Sequence, residues 1–225
     1  MENKSIAIDG PSGAGKSTLA RMAADRFGLV YVDTGAIYRC VGLCALDHGV
    51  ASKDAESVAS LLDGIRLEIL YDDQGLQHML LNGDDVSGRL RAPQVSIYAS
   101  DVSAMPRVRA FLLDMQRDMA HRYDVIMDGR DIGTVVLPGA GLKIYLTADP
   151  EVRARRRLLE LREKNVDTTF DEVLRDMKYR DANDANRKDA PLRRADDAIL
   201  LDTTSTGLDD SFRRLCGIIE RQLGR

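Results

Sequence analysis

The chain contains no tryptophan, and aromatic residues make up only 5% of its 225 positions. That leaves little material for the stacking platforms that grip single-stranded nucleic acid. Cysteine is scarce too. Cys40, Cys44 and Cys216 form neither a disulfide framework nor a CxxC metal pair. Cys40 and Cys44 stand four apart in a helical pattern and read as small core residues, which fits a reducing compartment. His48, His78 and His121 are scattered and lack metal-ligand spacing. The longest stretch free of Asp, Glu, Lys and Arg runs from Ile132 to Leu142. A membrane span needs ~18 or more apolar residues, so none is expected. Nor is a signal peptide, because Met1-Glu2-Asn3-Lys4 leads straight into a strand-like segment. Positive charge is not in excess either: Lys+Arg 32 against Asp+Glu 36 gives a net charge of −4. Such a chain gains no counterion-release drive onto nucleic-acid polymers. The expectation is a cytoplasmic protein with neither a membrane nor a nucleic-acid partner.

What is present is an ordinary globular composition, 44% hydrophobic and 30% charged. The length suits one domain, or one core carrying insertions. Ser5-Ile6-Ala7-Ile8-Asp9 is short and apolar and then meets glycines, as a buried parallel strand does. A helical pattern follows from Lys16 to about Phe27, then a strand at Leu29 to Val32 and a helix from about Thr34 to His48. This alternation predicts βαβ units around a parallel sheet. Two alternating runs, Ile65 to Tyr71 and Leu76 to Asn82, flank Asp72-Asp73-Gln74-Gly75 and predict a hairpin inserted into that pattern. Helices are expected again from about Ala92 to Ser103 and from Pro106 to Arg122. Three further strands are Val125 to Asp128, Leu142 to Thr147 and Ala198 to Asp202. Asp149-Pro150 reads as a helix N-cap, Thr169 with Glu172 as a capping box, and Leu208 to Leu223 as a closing amphipathic helix.

Gly10-Pro11-Ser12-Gly13-Ala14-Gly15-Lys16-Ser17 matches G-x-x-x-x-G-K-[ST] between a strand and a helix. The glycines let backbone N–H groups turn inward around phosphate oxygens, and the helix N-terminus adds partial positive charge. Lys16 is expected to reach the β- and γ-phosphates, and the Ser17 hydroxyl to ligate Mg²⁺. Gly10 to Thr18 is therefore the expected ATP-binding segment. The strand Val125 to Met127 ends in Asp128, a candidate second Mg²⁺ contact at the ligand edge of the sheet.

Arginines mark the acceptor. Arg153, Arg156 and Arg157 fall within about 100° of one helical arc, so three guanidinium groups are expected to converge on one ligand. Arg155 points away, toward solvent or an acid. Arg180, Asp184 and Arg187, at offsets of four and seven, share another face. From Pro150 to Ala195 there are 13 Lys+Arg and 10 Asp+Glu, while the rest of the chain carries −7. A basic segment in an acidic protein suits a lid over polyphosphate.

The P-loop, Asp33 to Arg39 (DTGAIYR), Asp84 to Ser87, Pro106 to Arg109, Asp128 to Thr134 (DGRDIGT), and Arg180-Asp181 through Pro191-Leu192 occur in one order along the chain. Together they closely resemble the bacterial cytidylate kinase family, from about Ser5 to Thr204. The resemblance implies an α/β, adenylate-kinase-like P-loop fold with a five-stranded parallel sheet in the order 2-3-1-4-5. It implies a core of residues 1–63, 93–150 and 170–225, a monophosphate-binding β insertion at 64–92, and a helical lid at 151–169. The implied reaction is Mg²⁺-dependent transfer from ATP to CMP or dCMP, by a monomer, with no covalent intermediate. By position, Arg39, Arg130 and Arg187 resemble the residues that hold the CMP phosphate. Ser100, Arg109 and Asp131 resemble those that read cytosine, and Arg180 and Asp184 those that touch the pentose. Thr34 is expected among the CMP contacts. Lys16, Arg130, Arg153 and Arg157 are the expected catalytic set.

Two other readings compete. A different small-molecule kinase would share the P-loop and the arginine lid, but should lack the 64–92 insertion and the Ser100, Arg109 and Asp131 set. A P-loop switch or nucleic-acid-associated ATPase would use the arginine segment as a binding strip, against the net charge of −4.

Overall fold

The computed structural model describes residues 4–224, so the expectation for Met1 to Asn3 lies outside the described residues. Strand β1 (Ser5–Asp9) leads into α1 (Lys16–Phe27), β2 (Val30–Asp33) and α2 (Thr34–Asp47). Five parallel strands are completed by β6 (Val125–Gly129), β7 (Leu142–Thr147) and β8 (Ile199–Asp202). They lie in the order β2-β6-β1-β7-β8, which is 2-3-1-4-5 when only the strands of this sheet are numbered. Period-two alternation divides the central strands between two cores. Ile6 and Ile8 face one apolar cluster with α1 and the closing helix α8 (Leu208–Leu223). Ala7 and Met127 face another, against α5 (Pro106–Arg122). Burial on both faces explains why these strands read as nearly continuous apolar runs.

The insertion carries one strand more than the expected hairpin. β3 (Leu67–Tyr71), β4 (Gln77–Leu81) and the two-residue β5 (Asp84–Asp85) form an antiparallel sheet. Its turn is set by Asp72, whose Oδ1 accepts from Gln74 N and Leu76 N, both at 2.9 Å. The insertion is tied to the core by Gln77, which accepts from Asp33 N at 2.8 Å, and by Tyr71, which donates to Tyr31 O at 2.8 Å. A short helix, α3 (Ala55–Leu61), precedes it. That helix is too brief to show periodicity, but Asp54 caps it by accepting from Ser57 N.

α4 (Pro93–Val102) crosses α2 closely. At Gly42 a Cβ would stand 2.9 Å from Ala99 N, so only glycine lets α4 bring Ser100 this near to α2. α6 (Pro150–Glu163) and α7 (Phe170–Ala185) pack on each other through Ala154, Leu158, Leu161, Val173 and Met177. Asp149 caps α6, and both halves of the Thr169–Glu172 capping box are formed. No helix among the described residues is long and apolar enough to cross a membrane.

Candidate active site

A cleft opens at the carboxyl ends of β1, β2 and β6, the edge where open α/β sheets hold ligands. Its walls are residues 12–18 of the P-loop, the start of α2, one side of α4, residues 128–131 after β6, and one side of α7. Seven cationic and five acidic side chains line it, a balance suited to a polyanion.

The P-loop begins at Gly10, whose φ is +152°. A Cβ there would stand 1.9 Å from Leu146 O, so the loop can pass β7 only as glycine. Ser12 through Thr18 line the cleft, whereas Gly10 and Pro11 shape the turn behind it. Lys16 is buried and donates from Nζ to Pro11 O at 2.8 Å. Burial, joined by the charge of Arg130, pushes its ammonium down to about 7, against the pull of Asp128 and Asp9. Ser17 Oγ donates to Asp128 Oδ2 at 3.1 Å, and Tyr31 donates to Asp128 Oδ1 at 2.7 Å. Burial, then the neighbouring Asp33, raises the Asp128 carboxyl above its ordinary range. Ser17, Asp128 and Asp33 thus present hard oxygen donors beside the phosphate loop, a set that fits a partly hydrated Mg²⁺. Among the described residues there is no cluster of three or more His, Cys, Asp or Glu for an all-protein metal site.

Across the cleft, several guanidinium nitrogens are buried with donors unmet. Arg39 Nε, Arg180 Nε, and Arg187 Nε and Nη2 have no hydrogen-bond partner among the described residues. All three arginines line the cleft. Burial, then the like charges of Arg130 and Arg39, pushes Arg180 below its ordinary range. Arg130 is steadied by Asp184, which accepts from its Nε at 2.7 Å. Thr34 lines the same wall and donates to Asp128 O at 2.8 Å. Ser100 and Asp131 are buried and face the cleft. Arg109 stands behind them, ion-paired to Asp131 through Nη2 and set over the Tyr38 ring.

The row of arginines on α6 does not converge as the spacing suggested. Arg153 turns under the P-loop. It donates to Ala148 O at 2.8 Å and Ser12 O at 2.7 Å, and pairs with Asp181 at 2.6 Å. Arg156 turns away, donating to Thr203 O at 2.7 Å and Thr206 O at 3.2 Å. Only Arg157 lines the cleft, paired to Glu160 at 2.9 Å. A helical wheel places Cα–Cβ vectors, but a side chain as long as arginine follows whichever carbonyls and carboxylates lie within reach. Arg155 pairs with Glu151 at 3.2 Å and lies over Phe170.

Motif reading missed several functional neighbours. Asp181 pairs with Arg153 and also accepts from Ser12 N at 2.9 Å, so α6 and α7 together hold both backbone groups of one P-loop residue. Asp9 accepts from Ile132 N and Gly133 N, both at 2.8 Å, and so holds the turn that presents Arg130 and Asp131. Burial outweighs those two bonds and raises Asp9 to about 6. Asp33 caps α2 by accepting from Ala36 N at 2.9 Å. Asp33 and Asp181 both lie inside the motifs read above, but composition and spacing assign them no partner.

Residues 6–221 match the family model described as cytidylate kinase. The chain is 45% identical over 224 residues to the cytidylate kinase of Caldicellulosiruptor saccharolyticus, covering 100% of this chain and 99% of that one. It is 45% identical over 218 residues to the cytidylate kinase of Syntrophotalea carbinolica, covering 96% and 92%. With that of Clostridium botulinum strain Loch Maree it shares 42% over 221 residues, covering 98% and 100%.

Proposed function

The chain belongs to the cytidylate kinase family, and from that premise we propose that it transfers the γ-phosphoryl group of ATP to CMP or dCMP, giving ADP and CDP or dCDP. The observation that carries this reading is the set of buried, unpartnered guanidinium donors on Arg39, Arg180 and Arg187, facing the cleft walled on its other side by the P-loop. Arg39 is paired with Asp33 at 3.7 Å and Arg187 donates to Ser103 from Nη1, but each buried N–H donor left over is costly, and a phosphate or pentose in the cleft would supply the missing acceptors. A monophosphate held there has its oxygens directed toward the phosphate loop.

In this reading residues 12–18 cradle the ATP phosphates, with Lys16 at the β- and γ-groups. Ser17 and Asp128 would hold Mg²⁺, which supplies neutralisation of phosphate charge. Arg39, Arg130 and Arg187 grip the acceptor phosphate, while Arg180 and Asp184 meet the pentose and Thr34 supports that wall. Arg157 reaches the cleft from α6, and Arg153 acts from beneath by fixing Ser12. The acceptor's own phosphate oxygen is the nucleophile, so no side chain need form a covalent bond. The protein's contribution is alignment and preorganised positive charge.

The paired Arg109 and Asp131 place a donor beside an acceptor. Cytosine offers the complement, an unprotonated N3 next to an exocyclic amine. Uracil reverses both groups, and each buried mismatch costs ~1–3 kcal/mol. We expect kcat/KM for CMP to exceed that for UMP by about 10–100-fold or more. We further propose that the insertion spans 64–92 and the lid 151–169. The enzyme would act as a cytoplasmic monomer on free nucleotides, without a nucleic-acid partner.

An ADP-release assay across AMP, CMP, dCMP, UMP, dTMP and shikimate tests the assignment. CMP and dCMP should lead, and faster turnover with any of the others rejects it. The same panel with Asp131→Ala tests base reading, since an unchanged cytosine preference would remove Asp131 from that role.

A further inference from the structure

Asn183 lies on α7, next in sequence to Asp184, and its amide reaches α4. Its Nδ2 is 2.9 Å from Ser100 O and 3.0 Å from Ser100 Oγ. A carbonyl oxygen can only accept, so the end of the amide facing it must be the NH2 group. That decides the second contact as well. The NH2 donates to the serine hydroxyl, whose oxygen accepts, and whose single hydrogen must point elsewhere. Among the described residues Ser100 Oγ donates to no protein acceptor. Ser100 is nonetheless buried, 7% exposed, and lines the cleft.

We propose that Asn183 is a positioning residue that fixes the Ser100 hydroxyl as a hydrogen-bond donor into the cleft, so that the site selects a base edge presenting an acceptor at that point. The proposal rests on Ser100 being a base contact. Its consequence is selectivity through orientation. A free hydroxyl rotates to suit either a donor or an acceptor, whereas one that already accepts from an amide N–H keeps its hydrogen for another group and is biased toward donating into the cleft. A pyrimidine edge carrying N–H opposite Ser100 would leave two donors facing each other in a buried space.

The arrangement also links the base to the rest of the acceptor. Tyr179, one turn earlier on α7, donates to Asp101 of α4, and Ser52 donates to the other oxygen of that carboxylate at 2.6 Å. α7 therefore meets α4 at two successive contacts, with Arg180 and Asp184 on its cleft side and Arg187 just past its end, also lining the cleft. Seating the helix that carries Arg180 and Asp184, and that leads into Arg187, also sets the donor direction of Ser100.

The test is a double-mutant cycle on kinetics with CMP and UMP, using Ser100→Ala, Asn183→Asp, Asn183→Leu and the combined variants. Aspartate at 183 has only acceptors and would draw the Ser100 hydrogen onto itself; leucine leaves the hydroxyl free to rotate. We expect Asn183→Asp to raise KM for CMP by about 10–100-fold and Asn183→Leu by about 3–10-fold, with kcat within about threefold. KM for ATP and the thermal midpoint should stay near wild type. In the Ser100→Ala background either change at 183 should add less than about twofold, because the hydroxyl it positions is gone. Equal effects with and without the Ser100 hydroxyl, or no effect at 183 while Ser100→Ala raises KM, overturn the proposal and leave the base contact standing. An unchanged KM for CMP in Ser100→Ala removes that contact, and the proposal with it. If the aspartate variant does not fold, the leucine variant completes the same cycle without added charge.

Discussion

Arg187 is a residue at which stability and activity pull in opposite directions. It is buried, 7% exposed, and Nε and Nη2 have no hydrogen-bond partner among the described residues. An apolar side chain of similar length would remove that desolvation cost, and such replacements stabilise by about 1–3 kcal/mol. We expect Arg187→Met to raise the melting temperature of the nucleotide-free protein by about 2–12 °C, at roughly 2–4 °C per kcal/mol for a chain of this size. The same variant should lose about 100-fold or more in kcat/KM for CMP, since the guanidinium proposed to grip the acceptor phosphate is gone. Thermal melts and steady-state kinetics on one preparation check both halves. A lower melting temperature would mean that its contacts with Ser103 outweigh the unmet donors. Its spacing suggested one helical face shared with Arg180 and Asp184, but α7 ends at Ala185, and Arg187 reaches the same cleft from the irregular backbone beyond it. That its donors are buried and unmet was not legible, because this depends on α4 lying opposite.

At the scale of elements, one device holds α6 and α7 to the phosphate loop and another braces the insertion internally. The first is the clamp of Asp181 and Arg153 on Ser12. Asp181→Asn leaves the Arg153 guanidinium buried without its carboxylate, at a cost of about 1–3 kcal/mol. Urea midpoints should register that loss, and Arg153→Met combined with Asp181→Asn should cost less than the two added separately. KM for ATP should rise more than KM for CMP, because the clamp acts on the phosphate loop. The other device is in the insertion, where His78 on β4 sits 2.9 Å from Asp85 and 3.2 Å from Asp72. Its hydrogen bond to Asp85 leads in raising its pKa, and that to Asp72 follows. A histidine with a raised folded pKa contributes stability that is complete below its unfolded value near 6.5 and is lost as pH rises through the higher folded value. Amide exchange of β3 and β4 should therefore show protection that falls as pH climbs above about 6.5, after correction for the intrinsic rate. His78→Gln should flatten that trend. Element existence was legible where periods were long and caps explicit, as in α6 and α7. β5 and α3 escaped because two and seven residues are too few to show a period.

For the whole molecule, the proposed transfer requires that ATP not simply be hydrolysed. Water must be excluded from the phosphates, and here α6 and α7 lie over the P-loop through Arg153, Asp181 and Met177 while also touching the acceptor wall. We expect ATP turnover to be low without acceptor and to rise steeply when CMP is added. Equal ATP turnover with and without CMP would reject that coupling. Hydrogen exchange should show α6 and α7 more protected with both nucleotides than with either alone.

The sequence by itself determined the parallel α/β core, the phosphate loop, the acidic end of β6 and the positions where substrate-facing residues cluster. These follow from local rules: a buried strand shows as an apolar run, a tight phosphate turn needs glycine, and a helix face repeats at three and four residues. Only the tertiary structure decided which arginines reach the cleft. Arg153, Arg156 and Arg157 are near-neighbours on one arc of α6, yet they end under the P-loop, against the segment after β8, and in the cleft. Likewise Asn183 and Ser100 lie far apart in the chain, and the hydroxyl's direction is set only where α7 meets α4. Periodicity specifies where a side chain leaves the backbone, but a long polar side chain ends where an acceptor is found, and those acceptors come from distant segments.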